Sequence, residues 1–156
     1  MGRRVRQLIG DWLLVVAAAL LLGSLFFTWS HQFSPAVLRI PEMRVALAGV
    51  RGNPDAWQVY SVADVFLAVL AGALLFTALF GVGRGLPVVL TATAAALLFV
   101  IHAANAPPTN GDDVVLPGSG EAVGSLARVG PGETVALLGL GLALAGLTLG
   151  LSAWRR

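Results

Sequence analysis

The chain has 156 residues, 57% of them apolar and only 12% charged, with a formal net charge of +2. This composition, with its strongly positive mean hydropathy, excludes an ordinary soluble domain. Cysteine is absent, which excludes disulfides, thiol catalysis and thiolate metal sites.

Four apolar runs, near residues 12–29, 62–82, 86–104 and 133–153, are long enough as helices to cross a bilayer. They are apolar all round, whereas a soluble fold would need amphipathic faces. The sequence therefore predicts an all-α integral membrane protein with a single domain over residues 1–156. Its architecture would be a four-transmembrane-helix bundle, with a small extracytoplasmic cap formed by the loops at about 30–61 and 105–132.

The N-terminus, "MGRRVRQLIGDWLLVVAAALLLGSLFF", has the basic start and apolar centre of a signal peptide. Its apolar stretch is longer than an ordinary signal core, and no small-x-small site closes it. An uncleaved first span is expected. Arg3, Arg4 and Arg6 precede this span, Arg84 separates the second and third, and Arg155 and Arg156 end the chain. With four spans these six share one side, close to the span ends, and the positive-inside rule makes it cytoplasmic. Both termini would then lie in the cytoplasm of a bacterium, with the protein in its plasma (inner) membrane. Arg39, Arg44, Arg51 and Arg128 fall on the outer side, with seven of the eight acids, all but Asp11. The bare inner face leaves no room for a cytoplasmic catalytic or signalling domain. Asp11 and Arg6 read there as interfacial charge.

In the first outer loop, "PEMRVALAGV" fits one short helix or a strand, and periodicity does not choose between them. "RGNPDAW" is turn chemistry. Trp12 and Trp154 are placed at the inner interface, and Trp29, Trp57 and Tyr60 at the outer, where amphipathic rings settle.

The second span opens with Asp64 in its first turn, and the third closes with His102 about one turn before "NAPP". At similar depth on neighbouring helices the two form a candidate polar pair, and ionisable groups in spans are functional candidates by default. Helix-end chemistry explains each separately, and explains them better. Ser61-x-x-Asp64 resembles a capping box, and a histidine suits the negative end of a helix. The middle of the bilayer otherwise holds only Ser24, Thr77, Thr91, Thr93 and Thr148, hydroxyls that usually bond back to their own helix.

In the second outer loop "TNGDD" and "PGSGE" are turns flanking a short strand, "DVVL". Asp112 and Asp113, with Asp55, Glu42 or Glu121, are a candidate hard-cation group, although a solvated turn is the commoner use of "NGDD". Two histidines, His31 and His102, are too few for a zinc site. Glu133 follows "GPG" and opens the fourth span, where a first-turn acid is explained by the helix dipole.

The fourth span carries the clearest packing pattern. Ala136, Gly139, Ala143, Gly146, Gly150 and Ala153 recur at alternating three- and four-residue spacing and form one smooth helix-packing stripe. Intramolecular packing against the first or second span is the usual role of such a face. Association with itself or with other membrane subunits is the alternative.

Enzyme signatures are missing: no G-x-S-x-G, H-E-x-x-H, P-loop or dinucleotide fingerprint occurs. "GVGRG" at 81–85 lacks the strand that a phosphate loop requires. No metal, other cofactor or nucleic acid is expected.

Two stretches, with a third at the fourth span, together carry a resemblance. "SLFFTWS" closes the first span and "WQVYSVADVFLAVLAGAL" enters the second, and "RVGPGETVALLGLGLALAGLTLG" supplies the fourth. The chain resembles small four-span membrane proteins of actinobacteria, a group without an established activity, so the resemblance implies a fold and no function. The layout is also similar to claudin-like proteins, without their paired loop cysteines. The leading expectation is a non-catalytic structural or accessory subunit of a cell-envelope membrane assembly. The alternatives are a small transporter or oligomeric channel with Asp64 and His102 at an outer vestibule, and an extracytoplasmic sensor using the acidic loop.

Overall fold

The structure is a computed structural model, and it describes residues 2–31, 39, 41, 56–59, 61–81, 85–105 and 128–154. Its architecture is all-helical. Helix α1 spans Arg3–Ser24, a short α2 Ala56–Val59, α3 Ser61–Phe80, α4 Leu86–Asn105 and α5 Pro131–Trp154. Strand β1, Ser30–His31, pairs antiparallel with β2, Arg128–Val129, in the register Ser30 to Val129 and His31 to Arg128. Helices α1, α3, α4 and α5 are each long and apolar enough to span a membrane. Helix α1 begins at Arg3 rather than at Trp12 because arginine and glutamine are good helix formers. It stops at Ser24 rather than at Trp29, since Leu25 to Phe27 tighten into i→i−3 bonds to Leu22, Gly23 and Ser24.

Each long helix buries one stripe. Leu14, Ala17, Ala18, Leu21 and Leu25 of α1 meet Leu67, Leu70, Ala71 and Leu74 of α3 and Ala136, Leu140, Ala143 and Leu147 of α5 in one core. The three- and four-residue intervals are those of a single helix face. The opposite face of α3 exposes Val62, Val65, Phe66, Val69, Phe76, Leu79 and Phe80. An apolar surface this continuous suits lipid, not water.

Helix α1 is the hub, packing most extensively on α5 and next on α3, while α4 joins the bundle mainly through α5. The α1–α5 pair is antiparallel and close. A Cβ on Gly146 would lie 2.9 Å from the Gly10 carbonyl oxygen, and one on Gly139 would lie 3.2 Å from that of Ala17. The stripe on α5 is thus occupied within the chain. Ala136, Gly139, Ala143 and Gly146 are buried and Gly150 half-buried, while the side chain of Ala153 lies outside the described residues. Close backbone approach lets dispersion and Cα–H···O contacts act along the seam, which matters where lipid is as apolar as leucine.

A glycine ends α3 and another precedes α4. Gly81, with φ 75°, ends α3 in the left-handed conformation, and its N–H donates to the Thr77 carbonyl at 3.0 Å. The Gly85 carbonyl accepts from Val88 and Val89 to start α4, with Pro87 harmless in the first turn.

Three threonine hydroxyls within the helices bond to their own backbone: Thr91 Oγ1 donates to the Pro87 carbonyl at 2.8 Å, Thr93 Oγ1 to that of Val89 at 2.7 Å and Thr148 Oγ1 to that of Ala145 at 2.9 Å. Thr93→Val is accordingly expected to shift stability by less than about 1 kcal/mol, since that carbonyl keeps its main-chain bond. Thermal unfolding in mild detergent checks this. A large loss would give Thr93 a role beyond its own helix.

Candidate functional site

Six polar or charged residues are buried among the described ones: Ser24, Ser30, Asp64, Thr77, Thr93 and Glu133. Four of them, Ser24, Ser30, Asp64 and Glu133, lie at the end of the bundle away from the chain termini, hereafter the distal end. Whatever polar chemistry the described core holds is concentrated there.

The distal end is built by continuing the α1–α5 pair beyond its helices. Ser24 Oγ donates to the Leu21 carbonyl at 2.7 Å, and Trp29 Nε1 donates to the Ser24 carbonyl at 2.7 Å. This folds the indole back under the end of α1, where Trp29 is 0% exposed. The Gly130 N–H donates to the Trp29 carbonyl at 2.7 Å and the Gly132 N–H to that of Thr28 at 2.8 Å. Carbonyls following α1 thus satisfy the start of α5, and the two-stranded ribbon closes over the joint. Only glycine fits at two of these positions. A Cβ on Gly130 would overlap the Thr28 carbonyl oxygen, and one on Gly132 would overlap the Trp29 ring.

This geometry alters the expected role of Trp29. It is a buried structural element, not an interface anchor, whereas Trp12 at 63% exposure and Trp57 at 42% remain on the surface. It also alters Glu133. That residue occupies the third position of α5, where a glutamate commonly reaches back to the N-cap N–H. Here the Gly130 N–H is already given to Trp29. Glu133 is 0% exposed, and among the described residues neither carboxyl oxygen has a hydrogen-bond partner.

Asp64 and His102 have unlike surroundings: Asp64 is fully buried on α3, and His102 is exposed near the end of α4. Helices α3 and α4 touch only sparsely, far less than α1 touches α5 or α3. The acidic cation candidates Glu42, Asp55, Asp112, Asp113 and Glu121, the segment 42–50 and the strand expected at 113–116 lie outside the described residues. The strand that is observed, β2, pairs at residues the sequence reading treats as loop. Among the described residues no three His, Asp or Glu side chains are grouped to hold a metal ion.

A second feature lies on the flank. Phe66, Pro87, Val88, Thr91, Ala92 and Ala95 line an open groove of about 520 Å³ where α3 and α4 diverge. Beyond Pro87 and Val88 its α4 wall is made of the smaller side chains Thr91, Ala92 and Ala95, with Thr91 and Ala95 one turn apart on an exposed face.

Comparison of the chain with protein-family models, with curated proteins and with solved structures finds no match.

Proposed function

We propose that this chain is a multi-pass protein of a bacterial plasma membrane that works without catalysis, as a structural or accessory subunit holding a partner's transmembrane helix between α3 and α4. The observation that carries this reading is the groove. Helices α3 and α4 are consecutive in the chain, yet they touch only sparsely and leave a channel on the flank whose lining is apolar apart from Thr91. Thr91, Ala92 and Ala95 give that channel the small wall that lets a second helix approach closely, and packing of this kind drives association within lipid. The small-residue stripe of α5 is already used within the chain, so a partner helix needs another small-residue wall. Four membrane-length helices and an apolar outer surface support insertion. The arginine distribution supports placing both termini in the cytoplasm. Helix hydroxyls that bond to their own backbone support a non-catalytic, non-conducting core.

Photo-crosslinking in the native membrane tests the reading. A photoreactive amino acid at Ala95 is expected to capture one discrete protein. The same amino acid at Gly141, exposed on α5 with no neighbour within 4 Å of a Cβ, is expected to capture lipid alone. Lipid adducts at both positions would sink the proposal.

A further inference from the structure

Glu133 has no part in that groove, and its surroundings ask for an occupant. Nearby donors are spent on carbonyl oxygens: the N–H groups of Gly130 and Gly132 on Trp29 and Thr28, Ser24 Oγ on Leu21, and Trp29 Nε1 on Ser24. Pro131, the first residue of α5, has no N–H to offer. The carboxyl group is left fully buried, and among the described residues both its oxygens are unbonded. A carboxylate in such a place is strongly disfavoured unless it meets positive charge, carried either by a proton or by another cation. A divalent or transition metal needs several further ligands, and no group of three His, Asp or Glu gathers among the described residues.

We propose that Glu133 is an exchangeable monovalent-cation site, taking a proton or an alkali cation at the distal end of the α1–α5 pair. The carbonyl-rich C-terminal end of α1 lies alongside and adds negative potential. From Leu14 to Trp29 that helix and its extension present no titratable side chain. The other described titratable or charged groups of this end are Asp64 on α3, His102 on α4, His31 and Arg128 on the ribbon, and the exposed Arg39 between β1 and α2. This inference stands apart from the partner reading, because crosslinking at Ala95 and occupancy at Glu133 can fail independently.

The test is labelling by dicyclohexylcarbodiimide in membrane vesicles. The reagent reacts with a protonated carboxyl: the carboxyl oxygen bonds to the carbodiimide carbon and the acidic proton moves to a nitrogen. The O-acylisourea so formed rearranges by acyl transfer to the isomeric N-acylurea, with no leaving group and no further reactant. In mildly acidic, sodium-free buffer the peptide containing Glu133 is expected to gain the adduct mass, and Glu133→Gln is expected to lose it. Loss of labelling on adding sodium at constant pH identifies an alkali-cation site. Loss only on raising the pH identifies a proton site. An unlabelled Glu133 in protein with intact helical circular dichroism would overturn the proposal, and so would labelling indifferent to both sodium and pH.

Discussion

Gly130→Ala is expected to cost about 3 kcal/mol or more, the upper end of the usual penalty for overpacking. The three atoms nearest to the new methyl group belong to the main chain of Thr28 and Trp29, with the Trp29 carbonyl carbon 2.7 Å and the Thr28 carbonyl carbon 2.8 Å away. Backbone cannot swing aside as a side chain can, so the segment after α1 must move away from the start of α5. That movement breaks the bond from the Gly130 N–H to the Trp29 carbonyl and releases the two-residue ladder. The readouts are a lower melting temperature in mild detergent and faster amide exchange at Ser30, His31, Arg128 and Val129. Gly72→Ala is the control. Gly72 is exposed on α3 with nothing within 4 Å of a Cβ, and alanine there is worth up to about 1 kcal/mol of helix propensity. A Gly130→Ala protein that melts like the parent would contradict the continuous α1–α5 joint.

Trp29→Ala should cost about 3–5 kcal/mol, the range for emptying a buried aromatic site. The substitution removes a fully buried indole and the donor to the Ser24 carbonyl. Trp29→Phe separates the two contributions. It keeps most of the apolar volume and forfeits the hydrogen bond, a loss of about 1 kcal/mol because the Ser24 carbonyl keeps its bond from the Phe27 N–H. Thermal unfolding of both variants, with tryptophan emission of the parent as a check on burial, measures the difference. If Trp29→Ala is neutral, the residue is an interface aromatic after all.

What the sequence discloses and what it hides divide along the length of the bundle. The helical cores are legible because an apolar run of membrane length has one dominant solution, and the observed α3, α4 and α5 start and stop within a few residues of the apolar runs. The face of α5 that carries Gly139 and Gly146 is legible from spacing alone, since small residues on one stripe can serve only close approach. Which helix it meets is a matter of three dimensions. The distal end resists reading for a different reason. Trp29 sits where an interface anchor would sit, and nothing local to "FTWS" says that the indole folds back onto the carbonyl of Ser24. The G-P-G run at 130–132 signals a break, but not that each glycine is required by a neighbour distant in sequence. Glu133 illustrates the cost of local reasoning most clearly. A first-turn acid has an adequate explanation until the capping N–H proves to be engaged elsewhere. Asp64 and His102 share a depth in the sequence, but depth alone does not fix orientation around a helix axis, and one faces inward while the other is exposed.

The measurement that tests the central claim most directly is the intact mass of the complex released from its own membrane by mild detergent. The account predicts a single stoichiometric assembly containing this chain and a different membrane protein, which fall apart together when Ala95→Leu narrows the groove. A mass equal to one chain, or to an integral number of copies of it, would contradict the accessory role.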